Sequence, residues 1–341
     1  MWWSCALCES KGFFAVKVTK EMLHEDLRPY FNRAKLVPII ARNKWLTQLL
    51  NKLLNRAVSG KDHDDLDCSE TYIQSSDGNT EIRARIYRPL NHEGRLPVML
   101  YLHGGGLLFG NPEMNIEIFR RFIQTRPCVI VSPDYRKSYT QPYPAAFNDC
   151  YDTLLWIKAN ADMLEASADK IIVAGHSAGG GLTAAVTLKA RDTRDVNIAF
   201  QMPIYPMLDD LQPGDPERYI DCPMWNSECS RVAWSAYLAD LHKQNAEIPA
   251  YAAPARNSDY RDFPPTITFV GSLEPLVQET VAYVERLRQA NVEVAFKEYE
   301  GCLHNFEGLA RGTALSEDAD DFLYKTHYAD FYDRYASAPS N

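Results

Sequence analysis

The sequence predicts an α/β protein, a mostly parallel sheet with helices on both faces. Two observations carry this. Short, continuous apolar runs recur along the chain, as in strands buried on both faces. Amphipathic helical stretches separate them, so strand and helix alternate. The 341 residues, 46% hydrophobic and 24% charged, suffice for one large domain of this kind with insertions.

The apolar runs are Val98–Leu102, Cys128–Val131, Ile171–Ala174, Ile198–Pro203 and Thr266–Val270. Helical patterns fall at 114–126, 145–160, 178–190 and 276–290. Ahead of them, Glu70–Gln74 and Ile82–Tyr87 alternate with the two-residue period of a hairpin, and Asp77-Gly78 supplies the turn. The acidic run Asp62 to Asp67 reads as a solvated loop. Residues 19–57 read as helical, because Leu46, Leu49, Leu50, Leu53 and Leu54 recur at helical spacing. The expected organisation is therefore an N-terminal helical cap or arm over 1–60 and the α/β domain over 61–341. Within that domain, Asp209 to Ala253 breaks the alternation with Pro213, Pro216 and Pro223 and an aromatic patch at Trp234 and Tyr237. It is expected to be an insertion over the sheet, at about 209–253.

Bulk properties exclude several classes. A formal charge of −9 argues against nucleic acid, whose phosphates need a basic face; Lys and Arg read as scattered among acids. No apolar run approaches the roughly 18 residues of a membrane span. The apolar start, Met1 to Cys8, is cut off by Glu9-Ser10-Lys11, short of a signal sequence. The eight cysteines are spread along the chain and read as reduced thiols. Cys5-x-x-Cys8 has no second pair to complete a four-ligand zinc site. The expectation is a cytoplasmic protein with neither metal nor cofactor.

Gly175-His176-Ser177-Ala178-Gly179 is a G-x-S-x-G pentapeptide that follows a buried strand and opens a helix. That context is what a strained nucleophile turn requires, with small neighbours around the serine. The helix N-terminus then presents positive charge to a developing oxyanion. His103-Gly104-Gly105-Gly106 follows the strand ending at Leu102, and its side-chain-free backbone can bring N–H groups to one oxygen. A serine hydroxyl needs a base beside it. His304, in a loop after a strand read at Val292 to Tyr299, is the candidate. A carboxylate must fix the imidazole. Glu274, just after Thr266–Val270, completes the chain order serine, acid, histidine. Glu279, in the following helix, is the rival.

With these residues in place, the chain resembles the hormone-sensitive-lipase-like family of α/β-hydrolases from about Val98 to Gly308. His103-Gly104-Gly105-Gly106 is similar to that family's oxyanion motif, and Gly175 to Gly180 to its nucleophile motif. Asp134-Tyr135-Arg136 with Tyr143-Pro144-Ala145-Ala146, Glu274-Pro275-Leu276 and His304-Asn305-Phe306 follow in the family's order. The resemblance implies an α/β-hydrolase fold with a helical cap and a serine esterase acting on short to medium acyl esters. It also implies oxyanion donation by Gly105, Gly106 and Ala178, and a homodimer. An amidase or deacetylase with the same triad is the enzymatic alternative. A non-catalytic small-molecule receptor on this fold is the other, and the retained His304 argues against it. Three departures stand out. His176 replaces the usual Asp, and an imidazole there is expected to titrate near neutral pH. Glu274 replaces the usual Asp of the triad. Lys137-Ser138-Tyr139-Thr140-Gln141 replaces a more apolar stretch, which is expected to alter only the surface beside the pocket.

Overall fold

The computed structural model describes residues 16–92 and 94–337; Cys5 and Cys8 lie outside them. Eight strands form one sheet: β1 (Leu66–Gln74), β2 (Glu81–Pro89), β3 (Leu96–Leu102), β4 (Val129–Pro133), β5 (Ala166–His176), β6 (Ile198–Ile204), β7 (Thr266–Gly271) and β8 (Val294–Tyr299). Their spatial order is β8-β7-β6-β5-β3-β4-β2-β1. The six from β3 to β8 run parallel to their neighbours. β1 and β2 pair antiparallel, as does β2 with β4. The fold is that of an α/β-hydrolase.

β3, β4, β6 and β7 are buried along their whole length, which is why they read as unbroken apolar runs. Alternate side chains of β3 feed two cores. Val98, Leu100 and Leu102 pack with Leu154 and Ile157 on one face. Met99 and Tyr101 pack with Phe119, Phe122 and Tyr328 on the other. The helices that cover the faces are α2 (Ile116–Thr125), α3 (Ala145–Ala159), α4 (Ala178–Thr193) and α6 (Val277–Gln289). Two more, α1 (Lys44–Val58) and α5 (Ser227–Tyr237), lie in the segments outside the alternating core. Helical turns from Ala314 to Ala336, wide-pitched over Asp321–Tyr328 and Tyr332–Ala336, bury Leu323, Tyr324 and Phe331 against the sheet. The sequence reading did not anticipate this last element.

Two expectations hold in part. Residues 19–57 are helical from Glu25 onward, but in pieces: a 3-10 turn at Glu25–Tyr30, short helices at Phe31–Ala34 and Leu36–Ala41, then α1. Pro29 and Pro38 lack the N–H that a continuous helix uses. Asn43 starts α1 afresh by accepting the Leu46 N–H at 3.1 Å. Asp62 to Asp65 form the expected solvated loop, with Asp62 paired to Arg85 and Asp65 to Arg120 at 2.7 Å, while Leu66 already opens β1.

The N-terminal stretch is tied to the segment after β6. Val16–Lys17 pairs in parallel with Ile220–Asp221, and the Met224 N–H donates to the Ala34 carbonyl at 3.0 Å. Among the described residues, no helix is long and apolar enough to cross a membrane. β3 has β4 on one side and β5 on the other. Strand order reverses there, so the loops leaving β3 and β5 diverge and open a crevice at their carboxyl ends.

Candidate active site

Two loops meet in that crevice. His103 to Gly106 follows β3, and Ser177 follows β5. Ser177 adopts φ 59° and ψ −121°, a region that costs a non-glycine residue roughly 1–3 kcal/mol. Three backbone bonds hold it there. Its N–H donates to Ile204 at 2.9 Å, and its carbonyl accepts from Gly181 at 3.0 Å and Met207 at 3.1 Å. α4 begins at the next residue, Ala178, with its positive end at the serine.

His304 Nε2 lies 2.8 Å from Ser177 Oγ. On the other side of the ring, Nδ1 is hydrogen-bonded to Glu274 Oε2. Glu274 Oε1 accepts the Gly271 N–H at 3.1 Å. All three side chains are buried. A carboxylate only accepts, so Nδ1 carries the ring proton and the Nε2 lone pair faces the serine hydroxyl. Glu279, the rival acid, is held elsewhere: it accepts the Leu208 N–H at 2.9 Å, and burial pushes its carboxyl well above the usual range.

The glycine loop is confined by its neighbours. A Cβ at Gly106, where φ is +61°, would sit 2.3 Å from the Trp225 ring; at Gly105, where φ is +120°, it would sit 2.2 Å from the Phe109 carbonyl oxygen. No side chain fits either place. His103 is stacked on Tyr135 at 4.1 Å. Lys137 was expected to matter only at the surface, but the structure sets its ammonium beneath this loop. Lys137 Nζ donates to His103 Nε2 at 3.1 Å and to Asp134 at 3.0 Å. An ammonium has no acceptor, so His103 Nε2 must be bare and Nδ1 protonated. That N–H donates to the Gly104 carbonyl at 2.8 Å. Burial, then the Lys137 charge, hold His103 well below its ordinary pKa. Pinning the Gly104 carbonyl fixes its planar peptide, and with it the direction of the Gly105 N–H.

His176 does not titrate near neutrality as expected. It is buried beneath the site with Nδ1 2.8 Å from the Tyr101 hydroxyl. Burial above all, and His304 nearby, bring its pKa down to about 3. It is a neutral packing group.

The loops border a pocket of about 390 Å³. One wall is Ser177, His304, Gly105 and Gly106; the other includes Val37, Met224 and Trp225. Trp225 and Tyr205 were not picked out from the sequence. Tyr205 packs edge-on to His304 at 4.7 Å and donates its hydroxyl to Glu307 at 2.5 Å. Burial raises the Glu307 pKa to about 7. Tyr205 directly follows β6, and its position by the crevice is a signal that strand topology supplies once the sheet order is known.

Residues 99–308 match the family described as the alpha/beta hydrolase fold. The chain belongs to that family. Among curated relatives of this α/β-hydrolase, esterase LipI of Mycobacterium tuberculosis is 32% identical over 235 residues, 67% of this chain and 72% of that one. Carboxylesterase NlhH of the same species is 31% identical over 238 residues, 69% and 74% of the two chains. Among solved structures, a bacterial heroin esterase superposes with a TM-score of 0.80 at 28% identity, over 92% of this chain and 99% of that one. These relatives place the α/β-hydrolase in the hormone-sensitive-lipase-like branch, as a carboxylic ester hydrolase.

Proposed function

We propose that this α/β-hydrolase cleaves short- to medium-chain carboxylic esters, with Ser177 as nucleophile, His304 as base and Glu274 as the acid that orients it. The observation that carries the reading is the unbroken hydrogen-bond line from Ser177 Oγ through His304, 2.8 Å at the first step, to a buried carboxylate. Ser177 Oγ attacks the acyl carbon while His304 Nε2 takes its proton. The carbonyl oxygen becomes an oxyanion held by the Gly105, Gly106 and Ala178 N–H groups. His304 passes the proton to the departing alkoxide, and the alcohol leaves an acyl-serine. Water, deprotonated by His304, attacks that ester; collapse releases the acid and restores Ser177. Glu274 stays ionised and stabilises the imidazolium.

The N-terminal helices and the 209–253 segment act as a cap in this reading, because each contributes to the wall facing Ser177. A pocket of about 390 Å³ is small among ligand pockets, which favours short acyl chains. The test is hydrolysis of p-nitrophenyl esters from acetate to dodecanoate. The expected result is a short-chain optimum, lost to near background in Ser177→Ala, roughly a million-fold by analogy with other serine triads. Glu274→Ala costs less, on the order of 10⁴-fold, and far more than Glu279→Ala. A folded wild type inert on every ester contradicts the reading, and Glu279→Ala worse than Glu274→Ala contradicts the acid assignment.

A further inference from the structure

The chain is acidic overall, yet from Arg28 to Lys61 it holds eight Lys and Arg and no Asp or Glu. The expectation of basic residues scattered among acids fails in this one stretch. α1 arranges them in columns four residues apart, which places them on one face. Lys44, Gln48, Lys52 and Arg56 form one exposed column, and Trp45, Leu49 and Leu53 form the next. Thr47, Leu50 and Leu54 turn inward instead. Trp45 is 67% exposed and Leu53 52%, and Leu36 and Ile39 nearby exceed half exposure. Five of the twelve large apolar side chains exposed among the described residues thus fall within the short stretch from Leu36 to Leu53.

The charges here are also treated differently. Elsewhere many arginines are held by carboxylates, among them Arg83, Arg85, Arg136 and Arg334. Among the described residues, Lys44, Lys52 and Arg56 have no carboxylate partner; Lys44 lies over the Tyr139 ring. A face with unpaired positive charge beside exposed Trp and Leu needs an environment that satisfies both columns. A second copy of the face would oppose positive charge to positive charge. Nucleic acid would meet the basic column and leave the apolar column in water. An anionic lipid surface meets both, with headgroups against Lys and Arg and the acyl boundary against Trp and Leu.

We infer that the outer face of α1, with Leu36 and Ile39, docks on an anionic lipid surface. The same segment borders the pocket on its inner side: Val37 lines it, and Asn51 accepts the Gly110 N–H at 3.0 Å. Docking therefore holds the pocket beside the lipid.

The test is flotation of the full chain with phosphatidylcholine vesicles, alone or mixed with phosphatidylglycerol. Binding to the mixed vesicles only, weakening with salt, is the expected result. Lys52→Glu with Arg56→Glu lowers affinity at least about tenfold, since each basic residue near such a surface contributes about fivefold. Trp45→Ser with Leu49→Ser also weakens binding. Both variants keep full hydrolysis of a soluble ester, which separates a docking defect from a folding one. Four results would overturn the inference: no vesicle binding, equal binding to neutral vesicles, undiminished binding by both variants, or duplex DNA bound in place of vesicles. A dimer broken by the same variants, with no lipid binding, would assign the face to a second copy instead.

Discussion

The pocket has two walls, and they are built differently. One is made of Ser177, Gly105, Gly106 and His304, all on loops leaving the carboxyl ends of sheet strands. Backbone geometry fixes most of these positions: the Ser177 turn is held by three main-chain bonds, and a Cβ at Gly105 would run into the Phe109 carbonyl. The other wall is Val37, Met224 and Trp225, standing on turns outside the sheet. Trp225 is placed by side-chain contacts, its indole N–H donating to Ser230 at 2.9 Å. The difference teaches where each part of an enzyme is encoded. The proposed catalytic groups sit where the sheet forces the chain, and the wall opposite them sits where side-chain packing decides.

The comparison is sharpened most by Lys137, which supports the sheet-borne wall from below without touching the pocket. Lys137→Met frees the His103 ring and loosens the Gly104 carbonyl. The expected loss is on the order of tenfold to a hundredfold in kcat with KM unchanged, since only transition-state stabilisation suffers. Lys137→Arg keeps a donor on Nε2 and recovers part of the loss. A rise in KM alone would place Lys137 in substrate binding instead.

Trp225→Ala tests the other wall. It is expected to shift the ester optimum toward longer acyl chains while kcat on acetate changes less than about tenfold. Thermal unfolding should show a cost of about 3–5 kcal/mol for the cavity. An unchanged chain-length profile would break the distinction between the walls.

The smallest effect concerns the backing of His304. Glu307 has its folded pKa raised from 4.5 to about 7, chiefly by burial. Its contribution to stability is fully present below the ordinary carboxylate value and is lost as pH rises through about 7. Glu307→Gln removes that loss. Denaturant unfolding should find wild type falling relative to the variant between pH 4.5 and 7, by about 3 kcal/mol at the upper end. Parallel pH curves would mean that Glu307 is not held protonated.

The sheet was legible because strands buried on both faces leave continuous apolar runs. Ser177 and Glu274 stood out as candidates because each follows such a run, and His304 because it completes the chain order in the loop after the half-buried strand Val294–Tyr299. Lys137 was misread because its burial depends on the loop from β3 folding over it, a contact 34 residues away. His176 was misread because an ordinary imidazole pKa says nothing about the Tyr101 and Tyr205 rings around it. The leucines of α1 were read as one stripe; Leu46, Leu50 and Leu54 are half-buried while Leu49 and Leu53 face outward. Periodicity places residues on a helix and does not say which of two adjacent columns meets the protein. The aromatic C-terminal turns escaped notice because charged residues interrupt them and the wide pitch blurs a 3.6-residue period.

The most direct test of the account is covalent trapping of the nucleophile. Wild-type protein treated with a p-nitrophenyl alkylphosphonate should release one equivalent of p-nitrophenol and gain one adduct, mapped by peptide mass spectrometry to Ser177. His304→Ala should react far more slowly. An adduct on another residue, or an inert and folded wild type, would contradict the claim that Ser177 is an activated nucleophile.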